Sequence, residues 1–186
     1  MVLTDDHGGQ MTIQDALWET AVDQYGYVTT NDAHNLGIPV VELAKLAHRG
    51  QLTRVVHGTY RFDRLPVTDR DDYMLALLWT GNKRAALGHD TALAVYDLCD
   101  INPNKIHVTV PKNARIRRAG GAAYVLHHED LHDSDFGWWE GIRAVKPAVA
   151  IEQGISSGVP AHLIEQALAT ARAHGYIAKP DQARLS

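Results

Sequence analysis

The chain has 186 residues, of which 45% are hydrophobic and 22% charged, with a formal net charge of −4 and one cysteine. This size predicts one large or two small globular domains. The single Cys99 excludes an intrachain disulfide, and no apolar run approaches the roughly 20 residues of a membrane-spanning helix. We therefore expect a soluble cytoplasmic protein with a buried, unreactive thiol.

Charge is segregated along the chain, although the total is acidic. Residues 11–38 contain four acids and no Lys or Arg, whereas residues 39–64 contain five bases and two acids. Farther on, residues 105–118 contain five bases and no acid, and residues 127–140 contain five acids and no Lys or Arg. Because local patches steer partners more than totals do, a nucleic-acid-binding segment is compatible with this sequence.

The first elements in chain order predict a helix-turn-helix. Apolar residues at helical spacing indicate a helix over residues 12–25. Thr29 and Asp32 have the spacing of a capping box, which predicts a second helix over 30–36. Gly37 suits the left-handed residue after a helix, and Pro39 suits the first turn of the next helix, which would end at Arg49.

The next segment predicts a β-hairpin, so that the first domain is a winged helix-turn-helix. Residues 51–62 alternate around His57-Gly58, and the simplest register sets Arg54 opposite Arg61 on the outer face. Like charges across a hairpin repel each other, and an anionic partner would explain this arrangement. The outward residues of the third helix and the wing are mostly basic while the first helix is acidic, which favours DNA binding over a structural or protein-contact module. The predicted DNA-binding residues on the third helix and wing are Glu42, Lys45, His48, Arg49, Arg54, His57 and Arg61.

Residues after Leu65-Pro66 predict a second domain of mixed structure. Helices are expected at 69–79 and 90–98, strands at 106–110, 122–127 and 141–145, and two helices beginning at the prolines of positions 147 and 160. The fold class is therefore α+β, with a winged helix-turn-helix over 11–66 and a small mixed α/β domain over 67–178. Residues 1–10 and 179–186 are expected to be flexible ends.

The second domain offers no specific chemical motif. Its basic segment can contact DNA backbone, meet an acidic partner, or form an ordinary solvated loop; the residues are Lys105, Lys112, Arg115, Arg117 and Arg118. The run from His127 to Asp135 contains metal-ligand types, but adjacent His127 and His128 would project to opposite faces of a strand. An acidic solvated loop is the favoured interpretation, with no metal, no cofactor and no catalytic residues.

Several spaced motifs resemble a known family. They are Gly26-Tyr27-Val28-Thr29-Thr30, Leu36-Gly37-Ile38-Pro39, His48-Arg49-Gly50-Gln51-Leu52 with Leu46 before it, and Arg54-Val55 with Gly58-Thr59-Tyr60-Arg61. Together they resemble the N-terminal winged-helix domain of AbiEi-type antitoxins. The segment His89-Asp90-Thr91-Ala92-Leu93, the strand ending at Pro111, and Lys146-Pro147 resemble the domain that follows, with Gly88 where a helix-capping serine is common.

The resemblance implies an antitoxin that represses its own operon and counteracts a nucleotidyltransferase-like toxin. Its expected partners are operator DNA with inverted repeats, bound as a dimer, and the toxin. One alternative is a winged-helix repressor without a toxin. Another is a DNA-directed nuclease, for which the His127 to Asp135 loop is the only candidate metal site.

Overall fold

The computed structural model describes residues 3–4 and 10–177, and its contacts divide the chain into two compact units. The first unit comprises residues up to Gly81 with 118–120, and the second comprises 82–117 with the residues from Gly121 onward. The expected flexible ends fall largely outside the described residues. Within the described part of the chain, no helix has the length and apolar character needed to cross a membrane.

The first unit has the element order of a winged helix. Its elements are β1 (Leu3–Thr4), β2 (Gln10–Met11), α1 (Ile13–Asp23), β3 (Tyr27–Thr29), α2 (Thr30–Asn35), α3 (Val41–His48), β4 (Thr53–Val56), β5 (Thr59–Arg61) and α4 (Asp71–Thr80). Strands β3, β5 and β4 form an antiparallel sheet in that order, and β1 pairs with β2. The predicted three helices and hairpin are confirmed.

Local hydrogen bonds explain where these helices begin. Thr29 N–H donates to the Asp32 carboxylate at 2.8 Å, and Asp32 N–H donates to Thr29 Oγ1 at 3.1 Å, which confirms the predicted capping box of α2. Thr12 and Asp15 form an equivalent box at the start of α1. Gly37 has a positive φ of 68°, as predicted for the turn between α2 and α3. The capping box and Gly37 therefore set where α2 begins and where the turn before α3 lies.

A core of aliphatic and aromatic side chains holds the three helices against the small sheet. Trp18 meets Phe62 edge to face, with ring centroids 5.2 Å apart. The buried members of this core are Ala16, Leu17, Ala21, Val28, Ala33, Ile38, Leu43, Leu46, Leu52, Tyr60 and Phe62. Leu43 and Leu46 of α3 face this core, whereas Val40, just before the helix, is 46% exposed.

The register of the hairpin differs from the prediction. Thr53 pairs with Arg61 and Arg54 with Tyr60, while Val56 pairs with Thr59, so Val55 is an extra residue in a bulge. Gly58, with φ of 74°, forms the turn as expected. A bulge of one residue shifts the pairing of every residue beyond it by one position on the partner strand. Arg54 and Arg61 are therefore not opposite each other.

The second unit is a five-stranded mixed sheet with helices. Its elements are β6 (Ala86–Leu87), α5 (His89–Val95), β7 (Ile106–Val110), β8 (Tyr124–His128), β9 (Phe136–Trp139), β10 (Ile142–Val145), α6 (Pro147–Ser157) and α7 (Ala161–Ala173). The strand order is β8-β7-β6-β10-β9, with parallel pairs β8/β7 and β6/β10. Helices α5, α6 and α7 contribute to a second core that contains Cys99, which is 7% exposed and whose thiol pKa is raised by burial.

The predicted elements of this unit are confirmed in outline, but two strands were missed. Strand β7 and helix α6 begin where the sequence indicated, while Pro160 precedes α7 instead of opening it. The sequence placed a domain boundary near Val67, whereas contacts assign residues to Gly81 to the first unit. A buried ion pair joins the hairpin to α4 within this unit, because Arg61 Nη2 lies 3.0 Å from the Asp71 carboxylate.

Candidate nucleic-acid interface

The solvent-facing side of α3 carries most of the residues predicted to reach DNA. Lys45, His48 and Arg49 are exposed, and the helix buries its opposite side through Leu43 and Leu46. Arg49 ends the helix, followed by Gly50 with φ of 70°. The helix thus presents its polar face to solvent as a single stripe.

Glu42 is held within this face and does not project freely. Its carboxylate accepts a hydrogen bond from Lys45 Nζ at 2.7 Å, and its side chain is 24% exposed against 51% for that of Lys45. An exposed pair at this spacing contributes little to stability, because the ions are well solvated apart. In this structure the Lys45 ammonium therefore points toward Glu42.

Two apolar residues extend the exposed stripe toward the beginning of α3. Val40 is 46% exposed and Val41 is 55% exposed. Val41 is one turn before Lys45, so the two side chains share a helix face. Apolar character alone favours burial, so neither valine was among the residues predicted to bind DNA.

The wing contributes one exposed arginine and one exposed histidine. Arg54 Nη2 lies 3.0 Å from His57 Nδ1, so the arginine reaches along the strand toward the turn. Both residues are exposed, and Val55 beside them is 38% exposed. The wing therefore presents a cationic tip, as predicted from the sequence.

Arg61 is the predicted site residue that the structure overturns. It is 8% exposed, and its guanidinium donates to Asp71 Oδ2 through Nε at 3.3 Å and Nη2 at 3.0 Å. It also donates to the carbonyl oxygens of Phe62 and Pro66, and it lies over the ring of Tyr27 at 5.8 Å. A guanidinium enclosed in this way is a structural anchor of the first unit, and no phosphate can reach it.

The second basic segment is exposed but does not form one surface. Lys105 precedes β7 and Lys112 follows it, so a strand of about 16 Å separates them. Arg115 and Arg117 are exposed in the loop after β7, while Arg118 groups with the first unit, where its guanidinium lies against Gly81. Contact with DNA or with a partner remains a prediction for the loop of residues 112–117.

The run from His127 to Asp135 is only partly the solvated loop that we expected. His128 is exposed and His127 is half-buried, which confirms that they point to opposite sides of β8. However, the His127 ring stacks on that of His89 at 3.4 Å between centroids, and Glu129 Oε1 lies 2.7 Å from His89 Nε2. The sequence missed this cluster because His89 and His127 are far apart in the chain.

One comparison with known proteins bears on the first unit. Residues 15–62 match the sequence family described as "Transcriptional regulator, AbiEi antitoxin", which confirms the resemblance from α1 through the hairpin. No curated protein matches the chain. Among solved structures, the RV2827C protein from Mycobacterium tuberculosis is similar at 18% identity and a TM-score of 0.47, over 82% of this chain. This chain spans 64% of the length of that one.

Proposed function

We propose that the first unit binds double-stranded DNA as a winged helix-turn-helix and that the protein acts as a transcriptional regulator without catalytic activity. The observation that carries the proposal is the exposed cationic stripe on α3 and β4, formed by Lys45, Arg49 and Arg54. Neutralisation of phosphates by such side chains supplies most of the affinity for DNA. The match of residues 15–62 to a regulator family supports the same conclusion.

The exposed face of α3 suits the major groove. Lys45 can donate to the O6 and N7 acceptors of guanine, and the methyl groups of Val40 and Val41 can contact the 5-methyl group of thymine. In such a complex the two exposed valines would be removed from water, which would add to the affinity. Arg54 and His57 at the wing would bind phosphates of the flanking backbone.

We further propose that the regulated DNA is the protein's own operator and that the protein is the antitoxin of a nucleotidyltransferase-like toxin. One winged helix offers few contacts, so useful affinity requires two copies on an inverted repeat. The second unit would then carry neutralisation. A stand-alone repressor is the alternative, and it predicts the same DNA binding without a toxic neighbour.

Replacing Arg54 by alanine is expected to weaken binding to the DNA immediately upstream of the gene and to reduce its salt dependence. Loss of one phosphate contact lowers the slope of log K against log salt by about 0.9. Fluorescence anisotropy from low to moderate salt measures both quantities.

In the same titrations, Lys45→Ala should lose affinity for the upstream fragment more than for random DNA of equal length, because the Lys45 side chain is proposed to read bases.

Arg172→Ala is the matched control for the loss of one positive charge. Arg172 is exposed in the last turn of α7 and lies outside the proposed interface. Its affinity and salt slope should equal those of the wild type. Equal slopes for Arg54→Ala and Arg172→Ala would contradict the assignment of the wing to phosphate binding.

The toxin pairing is tested by expressing the neighbouring reading frame from a heterologous promoter. We expect growth arrest when the neighbour is expressed alone and recovery when this protein is coexpressed. An Arg54→Ala variant should still restore growth, because the heterologous promoter separates neutralisation from repression. A harmless neighbour would favour the stand-alone repressor.

A further inference from the structure

A cluster of three metal-ligand side chains lies in the second unit, and none of them belongs to the proposed DNA interface. His89, His127 and Glu129 each offer one donor atom, and the three atoms lie within 4.8 Å of one another. His89 Nε2 is 2.7 Å from Glu129 Oε1, and the two imidazole rings stack with a centroid separation of 3.4 Å. Such proximity of two imidazoles and a carboxylate is the first requirement of a metal site.

The topology of the sheet brings these residues together. His127 and Glu129 are two positions apart at the end of β8, so their side chains share one face. Strand β7 lies between β8 and β6, and His89 follows β6 by two residues. The remaining histidines of the run, His128 and His132, are exposed and lie outside the cluster.

A second layer of hydrogen bonds orients the three side chains. Gln153 is 5% exposed, donates through Nε2 to Glu129 Oε2 at 2.7 Å, and accepts from His89 N–H through Oε1 at 2.8 Å. On the other side, His127 Nε2 lies 3.2 Å from His107 Nδ1. Metal-binding histidines and carboxylates are usually fixed by such outer partners, which set the imidazole tautomer and aim the lone pair.

His89 itself is not explained by these hydrogen bonds. The residue is 4% exposed, and its Nδ1 is buried without a hydrogen-bond partner within the described structure. Its φ is +50°, in the left-handed region that a residue with a side chain rarely adopts. A strained backbone and an unsatisfied buried nitrogen in one residue are features that a ligand at this position would account for.

We propose that His89, His127 and Glu129 bind one divalent transition-metal ion of the zinc class. Imidazole nitrogen with one carboxylate suits Zn²⁺, Co²⁺ and similar ions, whereas Ca²⁺ and Mg²⁺ prefer sets of oxygen ligands. Neighbouring ligands on a tetrahedral zinc lie about 3.4 Å apart. Ligation therefore requires the Glu129 carboxylate to move away from His89 and the His127 ring to turn out of the stack.

Three protein ligands leave at least one coordination position open. Glu129 lines a cavity of ≈ 400 Å³ together with Arg84, Thr109, Asp130 and other residues of the second unit. Water or a small anionic group can approach the metal through this cavity. Sites with two histidines, one glutamate and an open position are typical of zinc that binds an exchangeable ligand.

Titration of the metal-free full chain, without an affinity tag, with Zn²⁺ and separately with Co²⁺ tests the proposal. We expect saturable binding of one ion per chain by calorimetry and the visible ligand-field bands of low-symmetry Co²⁺. Gln153→Ala should lower the affinity about 10- to 100-fold, because it removes the orienting partner of Glu129. His127→Ala and Glu129→Gln, each lacking a ligand, should lower it further.

The exposed histidines of the same run provide the control. His128→Ala and His132→Ala should bind with wild-type affinity, since neither side chain belongs to the cluster. Glu129→Gln keeps the shape of the side chain, so this variant is expected to fold, which circular dichroism can check. It therefore still tests the proposal if an alanine variant unfolds. Absence of 1:1 binding to the wild type, or equal affinity for wild type and Glu129→Gln, would overturn the proposal.

Discussion

Arg61→Ala is expected to lower the free energy of unfolding of the first unit by about 3–5 kcal/mol, because it leaves the carboxylate of Asp71 buried without its counter-ion. Arg61 and Asp71 have side chains that are 10% and 5% exposed. Asp71 Oδ2 accepts both bonds from Arg61, while Oδ1 accepts from Thr68 N–H at 3.0 Å and from Thr68 Oγ1 at 2.7 Å. Urea denaturation followed by tryptophan fluorescence measures the loss.

The matched control is Arg54→Ala, on the same hairpin but exposed. Its effect on stability should stay within about 0.5 kcal/mol, as is usual for surface substitutions. The double variant Arg61→Ala/Asp71→Ala should be destabilised by less than the sum of the two single variants, since neither ion is then left unpaired. Full additivity would show that the ion pair is not the reason for the loss.

This result would also separate the two arginines of the wing by function. Arg54→Ala should weaken DNA binding and leave the free energy of unfolding unchanged. Arg61→Ala should lower the free energy of unfolding, while the molecules that remain folded should bind DNA with wild-type affinity. The simple hairpin register predicted that both would hold phosphates. The bulge at Val55 and the residues from Pro66 to Asp71 give them different roles.

Gly88→Ala is expected to destabilise the second unit by about 1–3 kcal/mol through a steric clash. A Cβ at this position would lie 2.2 Å from Thr109 Oγ1, 3.3 Å from Thr109 Cβ and 3.1 Å from Gln153 Oε1. Thr109 is 1% exposed and Gln153 is 5% exposed, so neither can move into solvent. The φ of Gly88 is −146°, which any residue adopts, so contact alone causes the effect.

Gly137→Ala is the control for the loss of a glycine in the same sheet. Its added Cβ would meet Lys146 Cγ at 3.6 Å, an ordinary contact, and its stability should be close to that of the wild type. Thr109→Ala should relieve much of the clash, so the double variant Gly88→Ala/Thr109→Ala should cost less than the sum of its parts. Thermal unfolding of the four proteins decides the matter; equal losses for Gly88→Ala and Gly137→Ala would contradict the steric account.

The same contacts bear on the resemblance noted in the sequence, which predicts a helix-capping serine at the position of Gly88. In the structure α5 begins without a side-chain cap. A serine would bring its Cβ against Thr109 in the same way as alanine. The space that a serine would fill is used instead by Thr109 and Gln153, whose hydrogen bonds orient His89 and Glu129.

Local signals made the first unit predictable from the sequence. The capping box of Thr29 and Asp32, the left-handed Gly37 and the turn at His57-Gly58 each depend on residues only a few positions apart. Such signals act within one turn of chain, so their outcome does not depend on the rest of the fold. The three helices, the hairpin and the exposed Lys45, His48, Arg49, Arg54 and His57 follow from them.

The second unit was predicted less completely for a physical reason. Strand β6 has two residues and β9 has four, too few for hydrophobic alternation to distinguish them from loops. Their places in the sheet are determined by partners distant in sequence, such as β6 between β7 and β10. The sequence therefore predicted three strands, whereas the structure has a mixed sheet of five.

The sequence by itself determined the winged helix, the cationic character of its outer face and the α+β class, because these depend on neighbouring residues and on composition. Only the tertiary structure decided the fate of Arg61, whose guanidinium lies 3.0 Å from the buried Asp71 carboxylate instead of facing solvent. It also decided that His89 meets His127 and Glu129, since this contact requires three strands to lie side by side. Register and strand order are properties of the whole fold, and no local pattern encodes them.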